Sequence, residues 1–192
     1  MITKDRQYRA FDIQTNSDSG SVEGYAAVFE QPTTLYECDG IQYKEVISRG
    51  AFDGAEMSDV VLNVGHQGKP AARTKNGSMQ LGVDDYGLKF RADLTQTSYG
   101  RSVKEDVDAG LLDKASFAFT VADEVYDRAA HTRRINRFKR IFDCALVDFP
   151  AYDGTYVNAR SFFEAEAERE RAEARDALEL AKAKYFYKGV KI

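Results

Sequence analysis

The sequence predicts a mainly β protein of the α+β class: a barrel or sandwich of short strands, one amphipathic helix inserted late, and a long helix at the C-terminal end. Three observations predict it. Short apolar or alternating runs, such as 21–29 and 60–64, are divided by turn chemistry such as Asn76-Gly77 and Asp84-Asp85-Tyr86-Gly87. The period changes to four only at Tyr99, Val103 and Val107. From Ser161 onward the composition shifts to Ala, Glu, Arg and Lys.

Taken in order, residues 8–13 alternate loosely, and 21–29 form a second strand after the polar turn 16–20, so the two are expected to pair as a hairpin. Residues 31–41 read as a surface excursion, and 42–47 return to strand character before the glycine-bounded turn 49–54. The run Val60-Val61-Leu62-Asn63-Val64 has the β-branched density of a buried strand and delivers His66 to its end, ahead of a predicted loop at 67–70. Residues 78–83 and 88–94 continue as a meander. The helix at Tyr99 starts at a Thr97 or Ser98 cap and stops at Gly110. Strands follow over 114–125 and 132–147, then a loop at 150–155. The division expected is a body of 1–160 and a helical extension of 161–192. In that helix Glu166/Arg169 and Glu168/Arg171 are surface neighbours, and the lysines gather at the end favoured by the helix dipole. A thin apolar stripe through Phe163, Ala167, Ala174, Leu178, Ala181 and Tyr185 suits packing on the body or pairing with a second copy.

Composition narrows the function classes. A chain of 192 residues with 12 Phe and 11 Tyr can bury one substantial core, and its net charge of −4 gives no general attraction to nucleic acid. No run approaches a membrane span and no apolar stretch of signal-peptide length opens the chain, so a cytosolic protein is expected. Cys38 and Cys144 are too few and too far apart for a metal-ligand pattern, and with two histidines a zinc site lacks raw material; no metal and no cofactor is expected. Cys38 lies between Glu37 and Asp39, whose charges oppose a thiolate, and Cys144 reads as a small buried hydrophobe.

Two polar residues stand out from apolar surroundings. His66 at a strand end could be a general base, a metal ligand or a structural hydrogen-bonding group. Ser116 lies inside Ala115-Ser116-Phe117-Ala118-Phe119, where a hydroxyl must find a partner. A serine hydroxyl is a weak nucleophile at neutral pH. Acyl transfer therefore needs an imidazole within hydrogen-bond reach and a third group that fixes its tautomer. Asp143, Asp148 and His131 are the candidates for that third role. Asp143 is notable because an acid inside the apolar strand 140–147 is costly unless paired.

Seven pieces of the chain, in order, carry a resemblance. They are Gly24 to Phe29; Glu45-Val46-Ile47 with Gly50-Ala51-Phe52; the strand ending in His66; Arg73 to Gly77; Asp85-Tyr86-Gly87-Leu88; Ser116-Phe117-Ala118-Phe119; and Pro150-Ala151-Tyr152 with Thr155. Over about residues 8–160 the chain resembles the prohead maturation proteases of tailed bacteriophages, distant relatives of the herpesvirus capsid maturation protease. The resemblance implies a β-barrel of the herpesvirus-protease type and a serine peptidase whose histidine falls on His66 and nucleophile on Ser116. The family's acid, seven residues before the proline, falls on Asp143, where the family more often has Glu, with Ser at the position of Ala145. In the herpesvirus relatives the third member is a histidine, which keeps His131 in reserve.

The resemblance also places the oxyanion-stabilising segment at 150–155, so the backbone amides of Ala151 and Tyr152 are the first candidates and Arg133 or Arg134 the second. It implies as substrate a scaffold protein, or the scaffold domain of the major capsid protein, and the protease itself, cleaved inside the assembling procapsid in the host cytoplasm. A homodimer is expected by analogy with the herpesvirus type. Two other classes fit the composition: a catalytically idle scaffolding module, and a nucleic-acid-binding barrel using the basic strand 133–140. The acidic balance disfavours the latter, so no specific nucleic-acid partner is expected.

Overall fold

The computed structural model describes residues 7–16, 20–148 and 157–189. Strand β1 (Gln7–Asn16) joins two sheets, because its first half pairs with β9 (Lys114–Asp127) and its second half with β2 (Ser21–Val28), both antiparallel. The second sheet continues from β2 to β8 (Gly87–Asp93) and β7 (Met79–Val83), the expected meander. The first continues from β9 to β10 (Thr132–Val147), then to β4 (Ile41–Ile47) and β3 (Thr33–Cys38). A short hairpin of β5 (Val61–Val64) and β6 (Gln67–Arg73) is added to the far half of β10.

The expected barrel is not closed. The main path runs β3-β4-β10-β9-β1-β2-β8-β7, and its end strands do not pair with each other among the described residues. The reason lies in β10, whose outer edge is shared by two parallel neighbours, β4 along Thr132 to Ile135 and β5 along Asp143 to Leu146. The ladder forks there instead of rolling shut, and the result is an α+β fold of open sheets.

Both sheets feed one core. Val22, Ala26, Leu88 and Phe90 of the second sheet share a cluster with Phe117, Phe119, Ile135 and Ile141 of the first. Phe52 stacks on Phe138 with ring centroids 4.7 Å apart, and Phe117 on Phe119 at the same spacing. The helix α1 (Ser98–Asp108) adds Val103 and Val107 to this core; its Thr97 cap accepts from the Gly100 N–H at 2.9 Å, and Gly110, at φ 72, follows its end.

Two expectations are corrected. Residues 31–41 are not an irregular excursion but largely the hairpin β3-β4, turned at Asp39-Gly40, both with positive φ (53 and 77) between the paired Cys38 and Ile41. The C-terminal helix α2 begins before Ser161, spanning Val157–Gly189. Its Phe163 and Ala167 bury against Tyr43 in a second, smaller cluster, whereas every side chain from 173 to 185 is exposed.

Candidate active site

The apolar β5 ends in a turn whose two central residues are Gly65 and His66, each with φ 60, between the paired Val64 and Gln67. Two successive positive φ values are what a type I′ hairpin turn demands, and they match the twist of the flanking strands. The predicted loop at 67–70 is therefore displaced: Gln67 already starts β6, and the histidine itself sits in the bend. A non-glycine residue held there costs about 1 to 3 kcal/mol, and such strain is found where a side chain must be aimed. The Gly65 N–H donates to the Leu146 carbonyl at 3.0 Å, which pins the turn to β10.

Ser116 comes from the apolar start of β9. Register places Asn63, Ala145 and Ser116 in one row across β5, β10 and β9, and Val61, Asp143 and Ala118 in the next. Paired residues share a face of a sheet, so these six side chains lie together on the face opposite Leu62, Cys144 and Phe117, which enter the main core.

Asp143 reaches that face through a bulge. Ile141 pairs with Phe119 and Asp143 with Ala118, leaving Phe142 as an extra residue on β10. Ile141 is in the core, so strict alternation would send Asp143 there too; the extra residue reverses the phase and turns the acid out. An ionised carboxylate in the phenylalanine core would have no compensating partner.

The structure brings His66, Ser116 and Asp143 together. His66 Nδ1 lies 2.5 Å from Asp143 Oδ1, and His66 Nε2 lies 2.7 Å from Ser116 Oγ. The side chains of His66 and Asp143 are 6% and 3% exposed, and Ser116 is wholly buried. A carboxylate accepts only, so it takes the Nδ1 hydrogen and leaves Nε2 to accept from the serine hydroxyl. That tautomer is the one a general base toward Ser116 requires. Exclusion from water strengthens each of these interactions.

Other candidates lie elsewhere. Arg133 and Arg134 pair with Tyr126 and Val125 on β9, ten and nine residues from Ser116, or about 30 Å along the ladder. Arg133 is 3% exposed and bonded to Glu45 at 3.0 Å and to Glu124, while Arg134 bonds Glu30 at 2.7 Å; neither faces the serine. These pairings also occupy two of the cations expected to attract nucleic acid, and Arg140 packs over the Phe142 ring. His131 sits in the β9-β10 turn at φ 46, beside Glu170 and Tyr43, far from Ser116 along the same ladder. Asp148 is exposed beyond the end of β10. Ala151 and Tyr152 lie outside the described residues. Cys144 is fully buried, and burial, with Asp143 adding to it, pushes its thiol well above the usual range, as suits an inert core residue. Among the described residues no group of three metal-ligating side chains occurs.

Sequence reasoning missed two features. The bulge at Phe142 carries no turn residue that would mark it. The strand pattern of 60–64 presents Asn63 only as a strand residue, yet it is a buried amide in the same row as Ser116; the legible signal is a lone amide within Val-Val-Leu-Asn-Val.

A hydroxyl, an imidazole and a carboxylate in this order are the groups of serine-dependent acyl transfer. No curated protein matches the chain, and no solved structure does. The family model described as caudovirus prohead serine protease matches residues 7–170. The chain belongs to the caudovirus prohead serine proteases.

Proposed function

We propose that Ser116 is the nucleophile of this protease, His66 its general base and acid, and Asp143 the group that orients the imidazole and stabilises its cation. The observation that carries the reading is the unbroken line of contacts from Asp143 Oδ1 through the His66 ring to Ser116 Oγ, at 2.5 and 2.7 Å. As Oγ attacks the peptide carbonyl carbon, its proton passes to Nε2 and the carbonyl oxygen becomes an oxyanion. Collapse breaks the carbon–nitrogen bond, and Nε2 returns the proton to the departing amine. Water then repeats the sequence on the acyl-enzyme and restores Ser116. Backbone N–H groups of 150–155, Ala151 and Tyr152 among them, are the proposed oxyanion donors. Because Ser116 is wholly buried, a peptide reaches it only once what covers it moves aside.

Family membership gives a role in capsid maturation, acting on capsid proteins within the procapsid. The finer reading is that the substrate is an internal scaffold, separate or fused to the major capsid protein, and that the protease also cuts itself. The herpesvirus capsid protease likewise has its histidine before its serine in the chain, as His66 precedes Ser116 here, which supports kinship between the two. A homodimer through α2 completes the proposal: the exposed stretch 173–185 carries Leu178, Leu180 and Tyr185, and activity per molecule should rise with concentration.

Co-expression with the capsid protein and its scaffold tests the function. The native chain is expected to yield shortened scaffold and trimmed protease on mass analysis, and Ser116→Ala to leave both intact. Equal processing by the two proteins would overturn the assignment.

A further inference from the structure

Asn63 is buried, 6% exposed, and its amide oxygen has no hydrogen-bond partner among the described residues. Leaving a buried acceptor unpaired costs about 1 to 3 kcal/mol, so such a group calls for an explanation. Its position offers one. Asn63 shares a row and a face with Ser116, separated only by Ala145, whose side chain is a single methyl. On its other side β6 bows away: Leu62 pairs with Ala72 and Val64 with Gln67, so two steps on β5 face five on β6, and 67–70 are exposed. An acceptor within the sheet face beside the candidate nucleophile is thus flanked by a small side chain and by a neighbouring strand that has moved aside.

We propose that Asn63 is a specificity-determining residue, whose amide oxygen accepts a hydrogen bond from a side-chain N–H or O–H of the bound peptide. This rests on the assignment of Ser116 as nucleophile. Two strand spacings separate the Asn63 and Ser116 backbones, about 9 to 10 Å, which an extended peptide covers in roughly three residues. The donor therefore belongs to a residue within three positions of the scissile bond. A substrate lacking it leaves the acceptor unpaired in the complex, which is how such a site discriminates against isosteres.

The test uses the full-length protein and a mixed-sequence peptide library in which Thr is exchanged for isosteric Val, and Gln for Met, with cut sites read by mass spectrometry. The native protein is expected to favour Thr or Gln at one position within three residues of the cut by about three- to tenfold. Asn63→Leu is expected to lose that preference while cutting Val- and Met-bearing peptides at least as well, with thermal stability equal or higher because an unpaired polar group has gone. If Asn63→Leu does not fold, Asn63→Ala carries the same expectation. Absence of any donor preference in the native protein, or its persistence in the variant, overturns the inference, and a drop in stability with unchanged selectivity would assign Asn63 to an internal water instead. A Ser116→Ala control separates the two levels: cleavage that persists in it sinks the catalytic reading itself, whereas an inactive control with an unaltered Asn63→Leu profile sinks only the role of Asn63.

Discussion

Ile141 and Asp143 are two positions apart on β10 yet face opposite sides of the sheet, Ile141 in the phenylalanine core and Asp143 on His66. The extra residue Phe142 is what separates them. Its deletion leaves Ile141 opposite Phe119 and Asp143 opposite Ala118 in a regular ladder, so the variant is expected to fold and keep a reactive Ser116. Deletion of Cys144 has no such solution, because it drives either Asp143 into the core or Leu146 out of it. Thermal melting together with fluorophosphonate labelling of Ser116 compares the two; equal damage from both deletions would contradict the role given to the bulge.

The bend at Gly65-His66 gives a second expectation. A β-branched residue at φ 60 is strained by about 1 to 2 kcal/mol, whereas Asn tolerates that conformation. Gly65→Val should therefore lower turnover more than Gly65→Asn, by shifting the imidazole away from Ser116 Oγ. Steady-state kinetics of the two variants, with melting as control, checks the order.

Arg133 serves the fold at a distance from the site. Its removal takes from Glu45, itself 3% exposed, a buried ion-pair partner, and Arg133→Ala is expected to cost about 3 to 5 kcal/mol. Replacing Arg133 by Met together with Glu45 by Leu should recover most of that loss in chemical denaturation. Ser116 labelling in the folded fraction should match the native protein in both cases.

Alkaline pH should loosen the seat of α2. Burial and the neighbouring Glu170 push the Tyr43 hydroxyl up to about 12, and burial also raises Tyr126 beside the same carboxylate. Because the folded value lies above the ordinary one of 10.0, the contribution is fully present below pH 10 and is lost as pH rises toward 12. Stability measured across that window should fall, and less steeply in Tyr43→Phe.

Much of this was legible in the sequence where local chemistry decides. A valine-rich run followed by glycine places His66 at a strand end, and a serine among Ala and Phe has to be accounted for. Asp143 stood out because an acid in an apolar strand needs a partner. What escaped was non-local or quiet. The pairing of β10 with both β4 and β5, which keeps the sheet open, is not written in any single segment. The hairpin at Asp39-Gly40 was hidden by the polar edge strand Thr33–Cys38, although its turn dipeptide was in view. Arg133 and Arg134 share a strand with Asp143, and only the length of that strand, 16 residues, shows how far they stand from it.

The central claim is that His66 activates Ser116. A fluorophosphonate probe applied to the folded protein, with the modified residue located by mass spectrometry, tests it most directly. Stoichiometric modification at Ser116 is expected in the native chain, with a loss of several orders of magnitude in rate in His66→Ala. Modification at another serine, or at Ser116 with an unchanged rate in His66→Ala, would contradict it.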